Sequence, residues 1–118
     1  MFVRGLEVSC RIGVADGERR VARRLLIDLD AEVDCQAAAR TDDIGQALDY
    51  AALAETVREV AAARAYRLVE TLAEALGATV LARYPGVHGV SVRISKRAAV
   101  AGAAAVGVMI ERRRQGAP

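Results

Sequence analysis

The feature that most constrains this chain is a two-residue alternation that appears twice near its start. Within residues 2–12, Leu6, Val8, Cys10 and Ile12 fall on one side, and Glu7, Ser9 and Arg11 on the other. Successive side chains point to opposite faces of a strand, so this pattern predicts a half-buried β-strand. Gly13-Val14-Ala15-Asp16-Gly17 then supplies a turn-rich loop, with Glu18 closing it. Alternation resumes as Leu25, Ile27, Leu29, Ala31 and Val33 against Asp28, Asp30, Glu32 and Asp34. The two runs read as one long antiparallel hairpin.

The pattern breaks from Cys35 to Leu48, where Thr41-Asp42-Asp43 marks a loop. Asp49 is a good N-cap, and helical spacing follows it through Leu53, Val57 and Val60. Leu68, Leu72, Leu76 and Val80 then predict a second helix, ended by Tyr84-Pro85-Gly86. Strand alternation returns at Val90, Val92, Ile94 and again at Val106, Val108, Ile110, with a loop from Lys96 to about Ala103 between them. The order β-β-α-α-β-β predicts an α+β domain with an antiparallel sheet and both helices on one face. Residues 1–118 form a single domain, with 113–118 expected to be a flexible tail.

A chain of 118 residues has a modest core, burying only about two thirds of its unfolded surface. Much of its apolar content is alanine, and the aromatics are only Phe2, Tyr50, Tyr66 and Tyr84. Small side chains bury little area, so association between copies is the expected supplement. The open outer strands of such a sheet point the same way.

Charge is nearly balanced, with 17 basic and 15 acidic residues interleaved. The Arg112-Arg113-Arg114 run lacks an aromatic platform or Gly-rich loop and reads as a solvated tail, which argues against nucleic acid as a partner. No stretch resembles a signal peptide or a membrane span, and two cysteines are few for a disulfide-stapled domain. The expectation is a cytoplasmic protein with Cys10 and Cys35 as free thiols.

The residues also narrow the chemistry. His88 is the one histidine, set in a turn, and two distant cysteines do not complete a zinc site. Ser9, Ser91 and Ser95 all fall in strands, which makes a Ser-His-Asp triad hard to build. No Walker or Rossmann phosphate loop is present. Chemistry is therefore expected from Lys, Tyr, Glu, Asp and backbone groups, without metal or cofactor. Four side chains stand out by position. Glu70, at the start of the second helix, either complements the helix dipole or offers two acceptor oxygens to a fork of N–H donors, such as those of a pterin or guanine ring. Lys96 ends the third strand, Tyr50 opens the first helix, and Glu18 closes the first loop; by spacing alone each is also an ordinary surface residue.

Taken in order, several segments resemble dihydroneopterin aldolases. They are Ile12-Gly13-Val14 with Glu18, Arg40-Thr41-Asp42-Asp43, Leu48-Asp49-Tyr50, Leu68-Val69-Glu70-Thr71-Leu72-Ala73-Glu74, Ile94-Ser95-Lys96, and Ala105-Val106-Gly107-Val108 with Ile110-Glu111-Arg112. The resemblance runs from about Phe2 to Arg112. It implies the tunnelling fold (T-fold), whose hairpins join in a β-barrel ring, a tetramer or two rings stacked as an octamer. It implies a pterin substrate bound between subunits, with Glu70 and Val69 anchoring the ring, and Leu48 and Asp42 among the substrate-binding residues. Lys96, Glu18 and Tyr50, the last from a neighbouring subunit, would be catalytic. Arg23 and Arg97 depart from the Gln and Pro that many relatives carry. An epimerase acting at C2′ of dihydroneopterin or its triphosphate is the alternative within the family, and a non-catalytic nucleic-acid-binding module the alternative outside it.

Overall fold

A computed structural model describes residues 1–116 of the chain. Four strands, β1 (Phe2–Cys10), β2 (Arg23–Glu32), β3 (Gly89–Arg97) and β4 (Ala105–Arg113), form one antiparallel sheet in sequence order. The hairpin expectation holds: Cys10 pairs with Arg23 and Phe2 with Asp30. Ile12 lies beyond the strand but keeps a bridge to Tyr66. The alternation conceals one irregularity. Gly5 adopts φ 64°, and the register slips between Val3 and Leu6, a bulge that keeps both residues against the core.

The segment between β2 and the first expected helix is not all loop. It contains α1 (Gln36–Thr41), six residues long, which Asp42 ends in a left-handed conformation. One and a half turns are too short to show a helical period, so only the Ala-rich composition hinted at it. The helices α2 (Tyr50–Ala62) and α3 (Val69–Arg83) match expectation except at Leu68, which is not on the inward stripe but precedes α3 in extended conformation and is exposed. The Asp49 side chain accepts from the N–H groups of Ala51 and Ala52, satisfying donors that the helix cannot.

Both long helices cover one sheet face. Leu53, Val57, Leu72, Leu76 and Val80 pack on Leu25, Ile27, Leu29, Val92 and Ile94, all essentially sealed from solvent. At about 25 cal/mol per Å², this seam is the main driving force available to so small a chain. Thr56, the one buried polar residue among those described, is satisfied by Ala52 O and the Tyr84 hydroxyl at 2.8 Å.

The basic run near the end corrects the expectation of a tail from residue 113. Arg112 pairs with Glu74, Arg113 is the last residue of β4 and pairs with Glu32 at 2.6 Å, and Arg114 donates to the carbonyls of Leu81, Tyr84 and Val87. Those carbonyls sit at or beyond the end of α3, where a cation completes acceptors that the helix leaves open. Positions 117–118 lie outside the described residues. Cys10 is buried, which pushes its thiol pKa up, while Cys35 is exposed; both are free. No helix among the described residues is long and apolar enough to cross a membrane.

Candidate active site

Three pieces of chain meet at the end of the sheet where β1 finishes, β3 finishes and β4 begins. They enclose an open cleft of about 420 Å³, lined by Ile12, Gly13, Val14 and Glu18 from one side. Arg67, Leu68, Val69 and Glu70 close a second side, and Lys96, Ala99, Val106, Gly107 and Val108 a third.

Three of the charged side chains, Glu70, Lys96 and Glu18, are placed by their local structure. Glu70 is the second residue of α3, in its first turn, where the helix leaves backbone N–H groups without partners and favours negative charge. Lys96 is the penultimate residue of β3, on the sheet face that carries the helices, and is held there by its pairing with Val106. Glu18 lies in a single 3-10 turn, Asp16–Arg20, rather than in open loop. One of its oxygens accepts from the N–H of Ala15 at 3.1 Å, and the other sits 3.8 Å from the Lys96 ammonium.

Two glycines make these approaches possible. Gly13, at φ 153°, lies under Glu18, and a Cβ there would come within 2.7 Å of a Glu18 carboxylate oxygen. Gly107 in β4 passes so close to Ile94 that a Cβ would be 2.8 Å from its carbonyl carbon. Spacing alone does not mark Gly13, Gly107, Arg67 or the Val106–Val108 wall as site residues. Gly13 is visible only as part of Ile12-Gly13-Val14, and the wall only as an alternating strand and as the segment Ala105-Val106-Gly107-Val108.

The cleft thus gathers Glu18, Val69, Glu70 and Lys96, which are up to 78 positions apart in the chain (96 − 18). It does not gather Leu48, Tyr50 or Asp42. Leu48 lines a separate depression with Tyr84, Pro85 and Val87, at the C-terminal end of α3. Tyr50 starts α2, which runs beside α3 so that Thr56 meets Tyr84. The length of α3, roughly 22 Å at 1.5 Å per residue, therefore separates Leu48 and Tyr50 from the cleft within one copy. Tyr50 is 66% exposed, and Asp42 sits exposed at the end of α1. Among the described residues no cluster of three or more His, Cys, Asp or Glu is placed to hold a metal ion.

The comparisons with known proteins bear on the same elements. A family model described as FolB, dihydroneopterin aldolase, matches residues 1–111. The dihydroneopterin aldolase of Methylorubrum extorquens is 39% identical over 99 residues, covering 84% of this chain and 76% of its own. The Escherichia coli dihydroneopterin aldolase, solved in complex with neopterin, superposes with a TM-score of 0.90 at 39% identity, over 95% of this chain and 96% of that one. That of Burkholderia thailendensis, bound to guanine, gives 0.83 at 28% identity over 97% and 89%. With its sheet, its helices and nearly its whole length in common with these lyases, the chain belongs to the dihydroneopterin aldolase family.

Proposed function

We infer that the cleft binds 7,8-dihydroneopterin and cuts its side chain by a retro-aldol reaction, giving 6-hydroxymethyl-7,8-dihydropterin and glycolaldehyde. The observation that carries this reading is the convergence of a helix-start carboxylate, Glu70, with an ammonium–carboxylate pair, Lys96 and Glu18, on one cleft. Neopterin and guanine, the ligands of the two solved relatives, share an amide N–H beside an amino group. A carboxylate at Glu70 matches that pair of donors with its two oxygens.

The substrate supplies much of the chemistry. Its dihydropterin ring holds a C=N bond conjugated to the bond that breaks. Lys96 gives an ammonium proton to the imine nitrogen, and the amine so formed takes the proton of the 2′-hydroxyl through a bound water that Glu18 helps to hold. The C1′–C2′ bond then breaks, its electron pair moves into the ring as an enamine protonated at the imine nitrogen, and the 2′-oxygen leaves as the aldehyde of glycolaldehyde. Protonation at C1′, with loss of the proton from the ring nitrogen, restores the C=N bond and completes the hydroxymethyl product. Positioned proton transfer of this kind is worth about 10²–10⁴-fold in rate, and orientation supplies more.

Tyr50 enters from a second copy. It and Leu48 lie at the far end of α3, so one subunit's far end would complete its neighbour's cleft. The outer strands β1 and β4 each pair on one side only, which suits a ring built strand to strand. A tetramer, or two rings forming an octamer, with the sites between subunits, follows from this reading, as does a cytoplasmic location and a single domain over 1–118.

Incubation of the purified protein with 7,8-dihydroneopterin should release glycolaldehyde, equally with and without EDTA. A chromatogram showing only the C2′ epimer would replace aldolase with epimerase activity, and no pterin product at all would overturn the assignment.

A further inference from the structure

The turn that carries Glu18 has no strand to lean on, because β1 ends at Cys10 and β2 begins at Arg23. Its base is stapled to the connection between α2 and α3: Tyr66 N–H donates to Arg11 O at 2.8 Å, and Gly13 N–H donates to Tyr66 O at 3.1 Å. Tyr66 is itself buried, with its hydroxyl on Val60 O. Among the described residues the carbonyls of Gly13 and Val14 have no backbone partner of this kind. Arg19 takes both. Its Nη1 donates to Gly13 O at 2.9 Å and to Val14 O at 3.0 Å, while its Nη2 holds the Asp16 carboxylate. Only 18% of this side chain remains exposed.

We propose that Arg19 is a positioning residue for the reaction, a clamp that closes the turn and so sets the Glu18 carboxylate beside Lys96. The proposal rests on the reading of Glu18 and Lys96 given above. The planar guanidinium presents several N–H groups in a fixed fork, so one side chain can satisfy two carbonyls and a carboxylate together. Without it the two carbonyls turn to water, and the segment over Gly13 is free to swing. Glu18 retains its bond to Ala15 N–H, but that bond lies within the turn and moves with it. Nothing in the Arg19 contacts involves Glu70, so ring binding is left intact while the proton chemistry loses its geometry.

Steady-state kinetics with 7,8-dihydroneopterin on the whole protein test this. Arg19→Ala should lower kcat about tenfold, because a displacement of about 1 Å can cost up to 10²-fold, while KM stays within about twofold. Arg19→Lys keeps the charge and can reach one or two of the three acceptors, so it should fall between, and it serves if the alanine variant does not fold. In a Glu18→Ala background, Arg19→Ala should have no further effect on kcat. The proposal is overturned if Glu18→Ala lowers kcat but Arg19→Ala does not. It is also overturned if Arg19→Ala costs as much with Glu18 absent, or raises KM in step with the loss of kcat. Full turnover by Glu18→Ala would sink the reading of the cleft itself, and this proposal with it.

Discussion

The Lys96 ammonium lies 3.8 Å from the Glu18 carboxylate, with the two side chains 24% and 37% exposed. A partly solvated pair of this kind contributes about 0–1 kcal/mol to folding, so its geometry is not explained by stability. Lys96→Ala should therefore lower kcat by about 10²–10⁴-fold with little change in melting temperature. Turnover at the native rate would remove Lys96 from the mechanism.

Glu70 should act on affinity rather than on rate. Glu70→Gln swaps one acceptor oxygen for a donor that faces another donor, and losing a charge-assisted hydrogen bond costs about 1.5–3 kcal/mol. Neopterin binding should weaken by roughly 10–150-fold, as read by calorimetry. An unchanged dissociation constant would mean that the ring is held elsewhere.

Gly13→Ala forces a Cβ to within 2.7 Å of a Glu18 carboxylate oxygen, at a backbone φ that disfavours any side chain. Either Glu18 swings away or the turn opens. The expected result is a fall in kcat comparable with that of Glu18→Ala, with the core, and hence the fold by circular dichroism, unaffected. Native kcat in this variant would show that Glu18 tolerates displacement.

A site shared between copies allows complementation. Tyr50→Ala and Lys96→Ala proteins should each be nearly inactive, yet co-expression should restore activity to roughly a quarter of native sites, the share that draws both intact residues in random mixing. Activity no greater than the sum of the separate variants would place Tyr50 outside the neighbour's cleft.

The Glu32–Arg113 pair gives an acid-side effect. The hydrogen bond from Arg113 holds the Glu32 carboxyl below its ordinary value of 4.5. A lowered folded-state pKa means that the contribution is complete above the unfolded value and fades as pH falls through the folded one. The difference in melting temperature between native protein and Glu32→Gln should therefore be largest near neutrality and shrink below about pH 4.5. A difference independent of pH would assign it to something other than this ion pair.

The elements were legible because burial imposes its period on the sequence. Leu25, Ile27 and Leu29 alternate since one face of β2 is sealed, and Leu72, Leu76 and Val80 repeat at helical spacing since one side of α3 is. Asp49 announced α2 by its chemistry, and the order of segments from Ile12-Gly13-Val14 to Ile110-Glu111-Arg112 carried the family. Where no period could develop, the reading failed. The six residues of α1 are too few, the bulge at Gly5 hides inside an alternating run, and Arg112–Arg114 carry no mark of the separate partners Glu74, Glu32 and the end of α3.

By itself, then, the sequence determined which residues of the strands and long helices face inward, Leu68 apart, where α2 starts and α3 stops, and which family the chain resembles, because each of these depends on neighbours a few positions away. Only the tertiary structure decided that Glu18, Glu70 and Lys96 share one cleft while Leu48 and Tyr50 stand at the other end of α3. That partition depends on how the sheet and helices pack, and packing joins positions whose separation along the chain leaves no local pattern to read.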